Sequence, residues 1–293
     1  MAAWRSGYAG DCKSSYTGSI PVAASNFLWA SDGIGIRATL KMSWSLLLVG
    51  SSPTLPTFLM LEKKRKKNLV ISADDFGKSE LANRNILRLA EVGKLDRVSV
   101  MADGNFSKGE IERLAVSSVK LDVHLSLDNF LENRNEVKEG FAKRVLVFLG
   151  NYLFGMLGGK KKVEQEWESQ IEGYIKLFGK KPDGLNSHRY DHFFPIYFPT
   201  ALKLAKRYNI ERIRFGKILP AGKNGLTSGV LKYFWKRNRK KFADSKLKAF
   251  DYCANLDWVE NPENFFWDFP EGEIELVVHP ERREEMEIID KYF

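Results

Sequence analysis

The chain has 293 residues, 44% of them apolar and 13% aromatic, which is enough to bury a barrel-sized core and excludes wholesale disorder. Its net charge of +9 gathers in the runs 63–67, 160–162 and 236–241, which read as solvated faces, and nucleic acid is not an expected partner. Cys12 and Cys253 are too few for a disulfide framework or a Cys-rich zinc site, so a cytoplasmic location is expected and any metal must be held by histidine and carboxylate.

Residues 1–59 mix Gly, Ser, Pro and Trp without helical or strand periodicity, and they lack the layout of a secretory leader. The stretch 42–60 is broken by Pro53 and Pro56 and is a poor transmembrane candidate. Gly18-Ser19-Ile20-Pro21 and Gly50-Ser51-Ser52-Pro53, 32 positions apart, fit the Gly-Ser-X-Pro that one reading frame of a transfer RNA T-loop encodes. The expectation is that residues 1–59 are unstructured read-through of tRNA-like DNA, that translation starts at Met60, and that 60–293 is a single domain. N-terminal sequencing of the native protein checks it.

Beyond Met60, strands alternate with helices. Residues 69–73 form a continuous apolar run, as in a strand covered on both faces, and end in the paired carboxylates Asp74-Asp75. Phe76-Gly77 predicts a tight turn. Ser79 then caps a helix to about Val92, with Leu81, Asn85, Leu89 and Val92 on one side and Gly93 as its stop. Strands are expected over 97–102 and 119–125. Val163, Trp167, Ile171, Tyr174 and Phe178 repeat at helical spacing until Gly179. A short strand over 185–187, a helix over 200–208 and a strand over 210–215 follow. The last strand covers 273–279, and a charged helix succeeds it. This alternation predicts a parallel sheet or barrel.

Two insertions interrupt the rhythm. Residues 141–157 are strongly apolar, and 231–242 mix Tyr233, Phe234 and Trp235 with basic residues. A buried or lid helix and a solvated helix are the plain reading. The sharper one is a peripheral membrane contact that reaches a lipid-linked substrate. The first stretch is too short to span a bilayer.

All four histidines stand at the ends of apolar runs: His124, the pair His188 and His192, and His279. Active sites of α/β barrels and sheets are built at strand ends, so the pattern points to a metal-dependent hydrolase. Adjacent Asp74 and Asp75 diverge on an extended chain, letting one hold a cation while the other meets its water; a helix cap or turn is the alternative. His188 and His192, four apart, share one side of either a helix or a strand, with Ser187 and Asp191 placed to orient them. His124 lies between Val123 and Leu125, and His279 precedes Pro280. Each alone reads as an interior histidine, and the conjunction favours a site.

Ser72-Ala73-Asp74-Asp75-Phe76-Gly77, Ser99-Val100-Met101-Ala102, Val123-His124-Leu125-Ser126-Leu127, Asn186-Ser187-His188 and Val278-His279-Pro280 resemble, in order, the signature segments of the YdjC-like (ChbG/HpnK) carbohydrate deacetylases. The resemblance implies an α/β fold, a distorted TIM-like (βα) barrel with parallel strands. It implies removal of acetyl groups from N-acetylated mono- or oligosaccharides by metal-activated water. Asp75, His124 and His188 would be the metal ligands, Asp74 the base and His279 the acid-side histidine. His192, Arg189 and Tyr190 would line the substrate. Arg189 and Tyr190 depart from the family's central motif, which usually has Gln and His there, and the chain after His279 is short. One divalent cation is implied, Zn²⁺ first, with Mg²⁺, Co²⁺, Mn²⁺ and Ni²⁺ compatible. The same chemistry on a lipid-linked amino sugar, a metal-binding inactive homologue, and a homodimer stay open.

Overall fold

A parallel strand has to be covered on both faces, and seven such strands dominate the computed structural model, which describes residues 68–127, 158–219, 225–262 and 270–293, with positions 150, 153, 222 and 265. The strands are β1 (Leu69–Phe76), β2 (Arg97–Val100), β3 (Lys120–Leu125), β4 (Gly184–Ser187), β5 (Lys217–Ile218), β6 (Tyr252–Asn255) and β7 (Ile274–Val278). The helices are α1 (Glu80–Glu91), α2 (Lys108–Val116), α3 (Lys160–Phe178), α4 (Phe198–Arg207), α5 (Gly225–Ser245) and α6 (Arg283–Tyr292). The order β4-β3-β2-β1-β7-β6-β5 is parallel throughout.

The two ends of this sheet are joined by the segment before β5. Leu185 N donates to Arg212 O and Arg214 N to Leu185 O, both at 3.0 Å, while Ile213 N donates to Lys248 O at 2.9 Å. The sheet is thereby curled into a distorted α/β barrel, as expected. The expected strand over 210–215 is not continuous. Its chain leaves β4 at Leu185 and takes up β6 at Tyr252 and Cys253, and the change of partner splits it into isolated bridges and the short β5.

Register fixes which side chains share a face. Ser72 pairs with Arg97 and Val277, Ser99 with Asp122, and His124 with Asn186. Arg214, on the joining segment, reaches Asp74 in the middle of the sheet, so this polar face is the barrel interior. The opposite face carries Ile71, Ala73, Val98, Val100, Val123, Leu276 and Val278, all buried beneath the helices. Part of the interior is held by Arg97 and Asp122, whose Nε to Oδ2 bond is 2.9 Å and is doubled by a second bond from Nη2. Gly184 leaves room for this pair, because a Cβ there would lie 2.5 Å from Asp122 Oδ1 and 2.9 Å from Arg97 Nη2.

Ser79 caps α1 as expected, its Oγ accepting from Ala82 N at 3.1 Å. The buried face of α1 is a different one, however. Leu81 and Val92 are 43% and 62% exposed; Leu89 is covered as expected, but its buried neighbours are Ala82, Ile86, Leu87 and Ala90. Asn83 turns the same way, taking Gly77 N at 2.7 Å and donating to Asn105 O at 2.8 Å. Small Ala82 and Ala90 permit the close approach that two leucines would prevent. For α3 the expected face is the buried one, with Val163, Trp167, Ile171 and Tyr174 fully covered and the helix ending at Gly179 in the left-handed region.

The expectations for residues 1–59 and, apart from positions 150 and 153, for 141–157 lie outside the described residues. No described helix is long and apolar enough to cross a membrane.

Breaking one partner of a buried ion pair costs more than the pair contributes. Arg97→Met is expected to destabilise the fold by about 3–5 kcal/mol, and Arg97→Met with Asp122→Leu to recover most of that loss. Urea denaturation of the two variants checks it; equal loss in both would contradict it.

Candidate active site

Strand alternation should send Asp74 and Asp75 to opposite faces, and the structure does not obey it. Asp75 has φ 72°, and the β1–β2 register slips between Ala73 and Phe76. Asp74 keeps its interior position, and the slip brings Asp75 to the same side at the strand end. A non-glycine residue in the left-handed region costs free energy, and such outliers gather at functional sites. Gly77 follows at φ 100°, where a Cβ would lie 2.9 Å from Met101 O.

The Asp74 carboxylate accepts Arg214 Nη1 at 2.6 Å, Arg214 Nη2 at 2.8 Å and Ser99 Oγ at 2.7 Å. Burial works against its charge, but Arg214, joined by His124 and His279, overcomes it and holds the carboxyl far below the usual carboxylate range. Arg214 also donates through Nε to Glu275 Oε1 at 2.9 Å.

A chain of hydrogen bonds runs from Asp74 across the interior and has only one direction. Ser99 gives its hydroxyl proton to Asp74, so its oxygen accepts Asn186 Nδ2 at 2.8 Å. That bond fixes the Asn186 amide with Oδ1 toward His124, whose Nδ1 stands 2.5 Å away and must donate. The neutral His124 ring therefore carries no proton on Nε2. This nitrogen is buried without a hydrogen-bond partner and lies 3.2 Å from Asp75 Oδ1. His188 Nδ1 lies 3.0 Å from the same oxygen.

The lone pair of His124 Nε2 and the carboxylate oxygen it faces repel one another unless a cation sits between them. Ligand atoms of Asp75, His124 and His188 all fall within 4.8 Å of one another, so the donor set fits one divalent ion. Burial opposes charging His124, but Asp74 and Asp75 overcome it and raise its pKa. Asp75 itself is driven well below the carboxylate range by His188, His124 and Lys78 against its burial. Lys78 Nζ bridges Asp75 Oδ2 at 2.9 Å and Glu281 Oε1 at 2.7 Å.

The remaining candidates divide. His279, just past the end of β7, is half-buried; burial opposes its charge, yet Glu285 and then Asp75 raise it above the ordinary histidine value. Arg189 is exposed, and Tyr190 is half-buried with its hydroxyl donating to Asn255 Oδ1 at 2.9 Å. His192 does not join His188. Arg189 and Tyr190 have φ 57° and 59°, so the 3₁₀ turn His188–Phe193 follows neither helix nor strand spacing. The His192 ring is fully buried, its Nδ1 2.7 Å from Ser187 Oγ and its Nε2 2.8 Å from Arg214 O. Both nitrogens are engaged, and the Nε2 contact ties the ring to the Arg214 backbone.

Arg214, Ser99, Asn186, Glu275 and Lys78 received no role from sequence. Glu275 left one trace, being a charged residue inside an otherwise apolar run, which demands a partner.

Residues 68–291 match the family described as YdjC-like protein. The chain belongs to the YdjC-like family. A curated chitooligosaccharide deacetylase from Citrobacter koseri is 28% identical over 158 residues, covering 52% of this chain and 62% of that protein. Two solved structures are similar to this YdjC-like chain. One is a provisionally named cellobiose-phosphate cleavage protein of Enterococcus faecalis V583, with TM-score 0.48, 16% identity, and 78% of this chain and 95% of that one covered. The other is an uncharacterised protein of Agrobacterium tumefaciens C58, with TM-score 0.32, 12% identity, and coverage of 80% and 87%.

Burial lowers the His192 pKa to about 3. Above the ordinary histidine value of 6.5 the ring is neutral folded and unfolded, so it confers no pH dependence there. As pH falls from 6.5 toward 3 the unfolded chain takes a proton that the folded one refuses, and stability falls. His192→Gln is expected to flatten this fall by up to about 1.4 kcal/mol per pH unit, read from urea midpoints across that window. Identical slopes would contradict it.

Proposed function

We propose that this YdjC-like chain removes acetyl groups from N-acetylated mono- or oligosaccharides, releasing acetate and an amino sugar. The observation that carries the reading is the unprotonated, partnerless Nε2 of His124 facing Asp75 Oδ1 and His188, a donor set that calls for a cation. The Citrobacter koseri relative supports the choice of substrate.

Asp75, His124 and His188 hold the ion in this reading, with Zn²⁺ preferred for two imidazoles and a carboxylate, and Co²⁺, Mn²⁺, Ni²⁺ or Mg²⁺ compatible. A bound divalent cation supplies Lewis-acid polarisation and makes water more acidic. Asp74, kept ionised by Arg214, accepts the proton of the attacking water. Arg214 makes this carboxylate a weak base, so it serves only a proton already made acidic. His279 is the acid: its charged form gives a proton to the amide nitrogen as the carbon–nitrogen bond breaks, without which the amine leaves poorly. Arg189 and Tyr190, at the turn beside His188, face the sugar, and His192 supports them from behind.

The test is acetate release from N-acetylglucosamine and its oligomers. Release should vanish with chelator and with Asp75→Asn. Asp74→Asn should lower turnover by roughly 100-fold or more, the scale of a lost proton-transfer group, while the ion stays bound. Release that persists through chelation and Asp75→Asn would overturn the reading, as would none from any sugar with the ion bound.

A further inference from the structure

The side chain of Glu285 is buried six residues beyond His279, in the first turn of α6. Oε2 accepts the backbone N–H of His279 at 2.7 Å. Oε1 lies 3.4 Å from His279 Nδ1 and accepts Arg282 Nη1 at 3.0 Å. The same Nη1 donates to Asp257 Oδ2 at 2.9 Å, tying the turn Leu256–Trp258 after β6 to the start of α6. His279 Nδ1 is buried with no formed hydrogen bond, so Glu285 is the acceptor it faces. Asp257, His279 and Glu285 offer ligand atoms within 4.8 Å of one another, but the Arg282 guanidinium already bridges the two carboxylates and is the cation of that cluster.

Burying a carboxylate is costly unless it is bound on several sides. Glu285 is bound on three: by Arg282, by the His279 backbone, and by the favourable N-terminal end of α6. All three fix the carboxylate against one ring. His279 lies two residues past Val277, the interior partner of Ser72, with Nδ1 toward α6 and its ring 15% exposed.

We propose that Glu285 is the positioning residue of His279, holding Nδ1 toward α6 so that Nε2 is the nitrogen presented to the site. This rests on the acid role given to His279 above. Other charged groups bear on the ring: Arg282 at the start of α6, Asp257 after β6, and Asp74 and Asp75 at the end of β1. Their contributions are common to wild type and a Glu285 variant, so the difference between the two isolates Glu285.

Histidine-¹⁵N NMR of the metal-free full chain tests the geometry without a mutation. The neutral form of His279 should carry its proton on Nδ1, and an Nε2–H tautomer would overturn the proposal. Glu285→Gln keeps the backbone hydrogen bond while removing the charge. It should lower kcat roughly 10–100-fold, part of what a positioned acid contributes, with KM and the Zn²⁺ dissociation constant nearly unchanged. The alkaline limb of its pH–rate profile should move to lower pH. An unchanged kcat and limb would overturn the proposal. Should wild type release no acetate at all, the deacetylase reading falls, and the tautomer alone decides for or against Glu285.

Discussion

The buried guanidinium of Arg214 holds this barrel together from inside. It stands on the segment that joins the two sheet ends, and from there it binds Asp74 on β1 and Glu275 on β7. All three groups are almost without solvent. Two carboxylates on neighbouring strands could not both stay charged in that interior without it, and their attraction draws the joining segment across the barrel. The closure at Leu185 and the ionised state of Asp74 therefore have one cause. Burial opposes the charge on Arg214 as well, but Asp74 and Glu275 raise its pKa far above the usual arginine value.

From that ion pair the site is assembled by hydrogen-bond direction more than by distance. A charged Asp74 can only accept, and this orders Ser99, Asn186 and His124 in turn until the last nitrogen has nothing to give. Asp75 then needs only to be turned toward that nitrogen, which its left-handed backbone accomplishes. A structural network and a candidate metal site are thus the same set of residues read from opposite ends. His192 stands apart from His188, its Nε2 engaged by the carbonyl of Arg214.

Much of this was legible in sequence where one residue type has one use. Ser79 before a helical pattern, Gly179 after one, and a run such as 69–73 each have a local physical reason to be what they are. Histidines and aspartates at strand ends likewise advertised a site, and the structure brings Asp75, His124 and His188 to one point. What stayed hidden depends on more than periodicity. The slip at Asp75 and the left-handed Arg189 and Tyr190 break the spacing from which faces are inferred, which is why His188 and His192 part company. The split of 210–215 needs knowledge of which strand lies on each side. Arg214 lies 140 positions from Asp74, a separation no local pattern records. The buried face of α1 is hard to read because Ala82, Asn83 and Ala90, weak in any hydrophobic pattern, share it with Ile86, Leu87 and Leu89.

The most direct check is a crystal of the full chain grown with Zn²⁺ and read by anomalous scattering. A single strong peak bonded to Asp75 Oδ1, His124 Nε2 and His188 Nδ1, with Asp74 still on Arg214, is the expected result. A peak only at the cluster of Asp257, His279 and Glu285, or none between the two imidazoles, would contradict the cation site on which the chemistry depends.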